Sequence, residues 1–118
     1  MSDETTLLEH LYDRFNARDV EAVLAFLHKD VVWANGMDGG YVHGHDGVRD
    51  YWTRQWATIS PTVEPVAFTH RQDGVAITVR QTIRDAAGAL IGDELVVHAY
   101  TLRGEQIARM DVEPAPTA

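Results

Sequence analysis

The chain contains no cysteine. Disulfide bonds, thiolate metal sites and cysteine nucleophiles are therefore excluded. No apolar run approaches the roughly 20 residues that a helix needs to span a bilayer. The polar, acidic first residues are unlike a signal peptide. These absences predict a cytoplasmic protein with no membrane partner.

Basic residues are also few, with 10 Lys and Arg against 18 Asp and Glu, and they are scattered along the chain. The net charge is −8. Nucleic acid is an unfavourable partner for such a chain, because phosphate binding needs a positive surface. The sequence also carries no cofactor motif, so we expect neither a nucleotide nor a flavin.

What the chain does contain is apolar residues, which make up 45% of its 118 residues. A chain of this length and composition can bury a core as one domain without covalent cross-links. We predict a single domain over residues 1–113. Residues 114–118 are rich in proline and small residues and are predicted to form a disordered tail.

Apolar spacing divides the chain into a helical first half and a strand-rich second half. Helices are predicted over residues 3–17, after an N-cap at Asp19, and from residues 44–46 onward. Short strands are predicted at residues 31–35 and 41–43, with a turn at 37–40. Longer strands are predicted at residues 63–72, 74–85, 89–103 and 105–112, separated by glycine-containing turns. This order indicates an α+β fold, with three helices covering one face of a curved, mostly antiparallel sheet.

Strand alternation places three polar residues on otherwise apolar inner faces: Asn35, Gln81 and His98. A buried polar group without a partner destabilises the fold by roughly 1–3 kcal/mol. These residues therefore either bond within the core or line a pocket. His98 is a candidate general acid or base, or a core histidine bonded to the backbone or to Gln81. Asn35 is a candidate to orient water or stabilise an oxyanion, or the first residue of an Asx turn.

Several large side chains are predicted either to pack in the core or to form the wall of an apolar ligand pocket. The opposite face of the sheet is also largely apolar, which favours a homodimer. The candidate ligand-binding residues are Tyr12, Trp33, Trp52, Gln81, Tyr100 and Met110.

Two histidines, His43 and His45, are separated by one residue and suggest a metal site. We do not predict one, because Gly44 begins the turn into the third helix and would direct the two rings apart. Asp38 and Asp46 are the only nearby candidates for a third ligand.

Residues 15–19, the short helix after them, residues 44–51 and the final hairpin at 103–110 resemble the NTF2-like superfamily. Within it, the chain is similar to the SnoaL-like and ketosteroid-isomerase-like branch. The resemblance implies a cone-shaped α+β barrel with a mainly apolar internal pocket. This fold hosts isomerases, cyclases, hydrolases and non-catalytic binding modules, so fold alone does not identify the function.

The catalytic set of ketosteroid isomerase is an Asp base, a Tyr donor and a protonated Asp donor. By resemblance, the base position holds Asn35, and the second donor position holds His98. The Tyr position falls at Leu11, so that Tyr12 lies about 100° away round the helix. Trp33-Ala-Asn35 is similar to a motif of limonene-epoxide-hydrolase-like members, but the remaining acidic set of that branch is not reproduced.

Two functions remain open from the sequence. One is an enzyme, with His98 and Asn35 as catalytic residues. It would be a cofactor-independent isomerase, cyclase or hydrolase using acid–base chemistry on an apolar carbonyl or polyketide-like substrate. The alternative is a non-catalytic module that binds a ligand or dimerises.

Overall fold

The computed structural model describes residues 3–35 and 39–115. This part of the chain forms three helices and six strands. In chain order they are α1 (Asp3–Asn16), α2 (Val20–Leu24), β1 (Leu27–Ala34), β2 (Tyr41–His43), α3 (Gly44–Thr58), β3 (Ile59–Arg71), β4 (Gly74–Asp85), β5 (Leu90–Arg103) and β6 (Gln106–Pro114). The predicted α+β class is confirmed. Among these residues, no helix is long and apolar enough to cross a membrane.

The six strands form one open sheet in the order β2-β1-β6-β5-β4-β3. Every neighbouring pair is antiparallel except β1 and β6, which are parallel. The sheet is therefore mixed and mostly antiparallel, and it curves into a cone without closing. The three helices cover its inner face, and the core lies between the two layers.

Local sequence signals account for several element boundaries. The side chain of Asp19 accepts a hydrogen bond from the backbone N–H of Ala22 at 3.2 Å, as an N-cap residue does at the start of a helix. In the β4–β5 hairpin, Asp85 Oδ1 accepts hydrogen bonds from the N–H groups of Ala87 and Ala89, both at 2.9 Å. These contacts confirm the predicted cap and the predicted glycine-containing turn.

Helix α1 is held on the sheet by an amide that pairs with backbone. Asn16 Nδ2 donates to the Val63 carbonyl at 2.8 Å, and the Val63 N–H donates to Asn16 Oδ1 at 3.0 Å. Because β3 is an edge strand, Val63 has backbone groups that no other strand pairs with. The Asn16 amide therefore satisfies the edge of β3 and fixes α1 relative to it.

Two strands begin earlier than the sequence predicts. Strand β1 starts at Leu27 rather than at residue 31. The added stretch contains three polar residues and pairs irregularly with β6, so its sequence does not resemble a strand. Strand β3 starts at Ile59 rather than at residue 63. Pro61 suggests a break before residue 63, but an edge strand tolerates proline since one side of it needs no donors.

The predicted tail also begins later than expected, because β6 continues through Glu113 to Pro114. The carboxylate of Glu113 bonds to Arg71 at 2.9 Å, which ties the end of β6 to the β3–β4 hairpin. Residues 116–118 of the predicted tail lie outside the described residues, as do residues 37 and 38 of the predicted turn and the candidate ligand Asp38.

Candidate functional site

The inner face of the sheet and the helices α1 and α3 enclose a cavity of about 140 Å³. Its wall is mainly aromatic and aliphatic, with a few polar groups, as is typical of a site for a small organic molecule. The residues that line it are Leu11, Tyr12, Phe15, Trp33, Ala34, Tyr51, Trp52, Gln55, Ile59, Pro61, Val63, Gln81, Ile83, His98, Tyr100, Met110 and Val112.

At the buried end of the cavity, two tyrosines and a histidine form a hydrogen-bonded chain. The Tyr100 hydroxyl donates to the Tyr12 hydroxyl at 2.9 Å. The Tyr12 hydroxyl lies 2.9 Å from His98 Nδ1. Because Tyr12 accepts from Tyr100, its own proton is free to be donated to Nδ1. The arrangement therefore places the imidazole proton of a neutral His98 on Nε2.

Burial keeps all three members of this chain uncharged. His98 is 8% exposed, and desolvation lowers its pKa to about 4. Desolvation also raises the pKa of Tyr12 and of Tyr100 well above the ordinary value of a tyrosine. At neutral pH, the cavity thus contains a neutral imidazole bonded to two neutral phenols.

The Nε2 atom of His98 is available to a molecule in the cavity. No side chain or backbone group in the described part of the chain bonds to it. In that same part, the one fully buried side-chain polar atom without a hydrogen-bond partner is Trp56 Nε1, so Nε2 itself is not fully buried. His98 lines the cavity. Its Nε2–H is therefore a donor that opens into the cavity.

Seven of the eight predicted site residues line this cavity. They are Tyr12, Trp33, Trp52, Gln81, His98, Tyr100 and Met110. Asn35 does not belong to the lining, although Ala34 before it does. The backbone of Asn35 instead closes a turn, donating to the Gly40 carbonyl at 2.9 Å and accepting from the Gly39 N–H at 3.0 Å. The catalytic role of Asn35 stays a prediction.

The predicted polar group of Asn35, Gln81 and His98 does not converge on one point. His98 lies opposite Ile77, whereas Gln81 lies opposite Glu94, four residues along the same pair of strands. Four residues of strand correspond to about 13 Å. The partner of His98 is accordingly Tyr12 rather than Gln81 or a backbone group.

Tyr12 lies about 100° round the helix from the family's tyrosine position. In the structure its hydroxyl nevertheless reaches both His98 and Tyr100. A tyrosine carries its hydroxyl at the end of a long ring, so the side chain reaches the cavity from the neighbouring helical position. Tyr12 is also 3% exposed, which places it firmly in the core.

Sequence reasoning missed several lining residues on the helices, among them Phe15 and Gln55. Phe15 packs edge-to-face on Trp52 with ring centroids 5.5 Å apart, and Gln55 Nε2 donates to the Tyr51 hydroxyl at 3.2 Å. The available signal was helical spacing, since Trp52 and Gln55 are three residues apart and share a face of α3.

The histidines of the candidate metal motif lie elsewhere. His43 precedes α3 and is exposed, and His45 Nε2 lies 2.9 Å from the Leu27 carbonyl. Within residues 5–35 and 39–115, no three His, Asp or Glu side chains are grouped so that they could hold a metal ion.

Comparison with known proteins assigns the chain to a family. The family model of the SnoaL-like domain matches residues 8–110. No curated protein matches the chain. An NTF2-like protein from Burkholderia pseudomallei K96243 is 23% identical, with a TM-score of 0.85 over 98% of this chain and 92% of that chain.

Two ligand-bound structures share the same fold. TerC, crystallised with polyporic acid, is 24% identical over 97% of this chain and 92% of that chain, with a TM-score of 0.85. Rv0760c from Mycobacterium tuberculosis, in complex with estradiol-17β-hemisuccinate, is 19% identical over 93% of this chain and 92% of that chain, with a TM-score of 0.78. Taken with the family match over residues 8–110, the chain belongs to the SnoaL-like domain family, on the NTF2-like fold.

Proposed function

We propose that the protein binds a small, largely apolar molecule in this cavity and polarises one of its acceptor oxygens, such as a carbonyl, with His98 Nε2–H. The observation that carries the proposal is the hydrogen-bonded chain from Tyr100 through Tyr12 to His98. With Tyr12 donating to Nδ1, this arrangement leaves Nε2–H as a donor at the buried end of an apolar cavity. A preorganised donor in a site that excludes water interacts strongly with an oxygen that gains negative charge.

The charge of the lining indicates that the ligand is uncharged at this end. No Asp, Glu, Lys or Arg in the described part of the chain lines the cavity. A charged group brought there would lose its hydration without gaining an opposite charge. A neutral carbonyl needs only one good donor, and a neutral imidazole is suited to this role.

Similar structures support small-molecule binding. TerC was crystallised with polyporic acid, and Rv0760c is in complex with a steroid hemisuccinate. A putative polyketide cyclase from Xanthomonas campestris also shares the fold, with a TM-score of 0.75. These proteins are 19–24% identical to the chain, and they support the kind of ligand rather than its identity.

An acid–base enzyme is a second candidate. The two hydroxyl groups of the hydrogen-bonded chain that ends at His98 favour it. Tyr12 and Tyr100 can each donate or accept a hydrogen bond. If these hydrogen bonds run in the opposite direction, Nδ1 of His98 carries the proton, and Nε2 of His98 can accept a proton from a substrate. This reversal is what an isomerase or a cyclase acting on a carbonyl compound would require.

Two nearly isosteric probes test the first proposal: 2-acetylnaphthalene, which carries a carbonyl, and 2-isopropenylnaphthalene, which carries a methylene group in its place. Calorimetric titration should show that the ketone binds about fivefold more tightly, which is the effect of one net hydrogen bond. The preference should disappear in His98→Asn, whose shorter side chain keeps an acceptor for Tyr12 but lacks the Nε2–H donor.

The matched control is Gln81→Leu, which removes a polar group from the other end of the cavity and should keep the preference for the ketone. Equal affinity of the wild-type protein for both probes, or no binding of either, would refute the proposal.

Adding the ketone in D2O separates the two functions. Faster exchange of its methyl protons in the presence of the wild-type protein than of His98→Asn supports the enzyme, and an unchanged rate supports binding alone.

A further inference from the structure

The inner face of the sheet carries a carboxylate that no contact in the described structure explains. Glu94 lies directly opposite Gln81 in the β4–β5 register, and directly opposed residues share a face of an antiparallel pair. Gln81 lines the cavity, so Glu94 projects from the same face beside it. Glu94 is exposed and does not itself belong to the lining, but it lies at the edge of the cavity beside the lining residue Gln81.

The neighbouring acids on these strands are paired, whereas Glu94 is not. Asp93 bonds to Arg80 at 2.7 Å, Asp111 to Arg109 at 2.8 Å and Glu113 to Arg71 at 2.9 Å. Within residues 5–35 and 39–115, the side chains of Glu94 and Gln81 have no hydrogen-bond or ion-pair partner. The inner face thus presents an unpaired amide and an unpaired carboxylate side by side.

The distance between this pair and His98 sets the length of a ligand that would contact both. Glu94 precedes His98 by four residues on β5, which corresponds to about 13 Å of strand. The cavity lining reaches both levels of the sheet, because Val112 lies opposite His98 and Ile83 lies two residues beyond Gln81. Val112 is 48% exposed, so the cavity is open to solvent beside β6. A ligand that fills it is elongated, apolar in the middle and polar at both ends.

We propose that Glu94 and Gln81 form a second polar subsite that selects ligands bearing a protonated amine at the end remote from the oxygen bound by His98. The carboxylate supplies the opposite charge, and the Gln81 amide oxygen supplies a second acceptor for the ammonium group. This inference rests on the proposed function, because it requires the ligand to lie in the cavity with its oxygen at His98.

Two extended probes test the subsite: 2-acetyl-6-(2-aminoethyl)naphthalene and 2-acetyl-6-propylnaphthalene, which differ by an ammonium group in place of a methyl group. At low ionic strength and pH 7, the amine should bind about fivefold more tightly, as expected for a partly exposed ion pair. Added salt should reduce the difference. Glu94→Gln should abolish this difference between the two probes.

The matched control is Glu64→Gln, which changes the net charge by the same amount as Glu94→Gln. Glu64 lies opposite Arg80 on the outer face of the sheet, away from the cavity. If the two variants lose the preference for the amine equally, the proposed subsite is overturned, since the loss would reflect overall charge. An equal affinity of the wild-type protein for both probes would overturn it too. If 2-acetylnaphthalene still binds more tightly than its isopropenyl analogue in that case, the subsite alone fails and the proposed function stands.

Discussion

Replacing Gly74 with alanine is expected to lower the free energy of unfolding by roughly 3 kcal/mol, the upper end of what overpacking usually costs. A Cβ atom on Gly74 would lie 1.9 Å from the carbonyl oxygen of Tyr100 and 2.9 Å from its carbonyl carbon. Both neighbours are backbone atoms, so no side-chain rotation relieves the clash. Strands β4 and β5 must move apart where β5 carries Tyr100. Urea unfolding followed by circular dichroism measures the loss.

Gly47→Ala is the control for Gly74→Ala. Its Cβ would meet the Val42 side chain at 3.7 Å, an ordinary contact, and alanine favours the helix in which Gly47 lies. This variant should be as stable as the wild type or more stable by up to about 1 kcal/mol. Equal stability of Gly74→Ala and the wild type would show that β4 and β5 are not as close at this point as the structure has them.

The second large effect is a dependence of stability on pH that originates from His98. Its pKa in the folded protein is about 4, against 6.5 for a free histidine. Between these values the unfolded chain binds a proton at His98 and the folded chain does not, so acid favours unfolding. The contribution levels off about one pH unit above 6.5, where the unfolded histidine is also neutral. Stability should fall by roughly 2–3 kcal/mol as the pH is lowered to 4.5.

Comparison with His98→Asn isolates this contribution, because the carboxylates that titrate in the same range are common to both proteins. Urea unfolding at a series of pH values should show that the free energy of unfolding falls more for the wild type than for His98→Asn as the pH falls from 7.5 to 4.5. His10→Asn, at an exposed position, should follow the wild type. A difference between the wild type and His98→Asn that stays constant with pH, or grows on acidification, would contradict a buried neutral His98.

Elements with strong local signals were predicted well from sequence. The Asp19 cap and the glycine-containing hairpin turns depend on chemistry within a few residues, and strand alternation alone placed Gln81, His98 and Tyr100 on the face that lines the cavity. The start of β3 was missed because proline normally argues against a strand. Its tolerance there depends on an edge position that only the assembled sheet defines.

The chemistry of the site was less predictable, because it depends on contacts between distant residues. His98 was identified as a candidate, but its partner Tyr12 is 86 residues away and lies on another element. Helical geometry gives the direction of the Tyr12 side chain and not its reach, so it did not show that the hydroxyl meets His98. The same absence of long-range information made Gln81 and His98 appear to meet, although the strand register separates them.

The homodimer through the outer sheet face also stays a prediction. Several large apolar side chains are exposed, including Val66, Leu90, Ile91 and Leu95. Exposed apolar surface favours association. Its area and continuity depend on the curvature of the sheet, which strand patterns do not specify.

The most direct test of the proposed site is the protonation state of His98 at neutral pH. A long-range proton–nitrogen NMR correlation spectrum of the 15N-labelled protein, with His98 assigned from the signals lost in His98→Asn, reports which ring nitrogen carries the proton. The proposed site requires a neutral ring at pH 7 with the proton on Nε2, and a shift of the Nε2 signal when 2-acetylnaphthalene is added. A charged ring, or a proton on Nδ1 in the free protein, would contradict it.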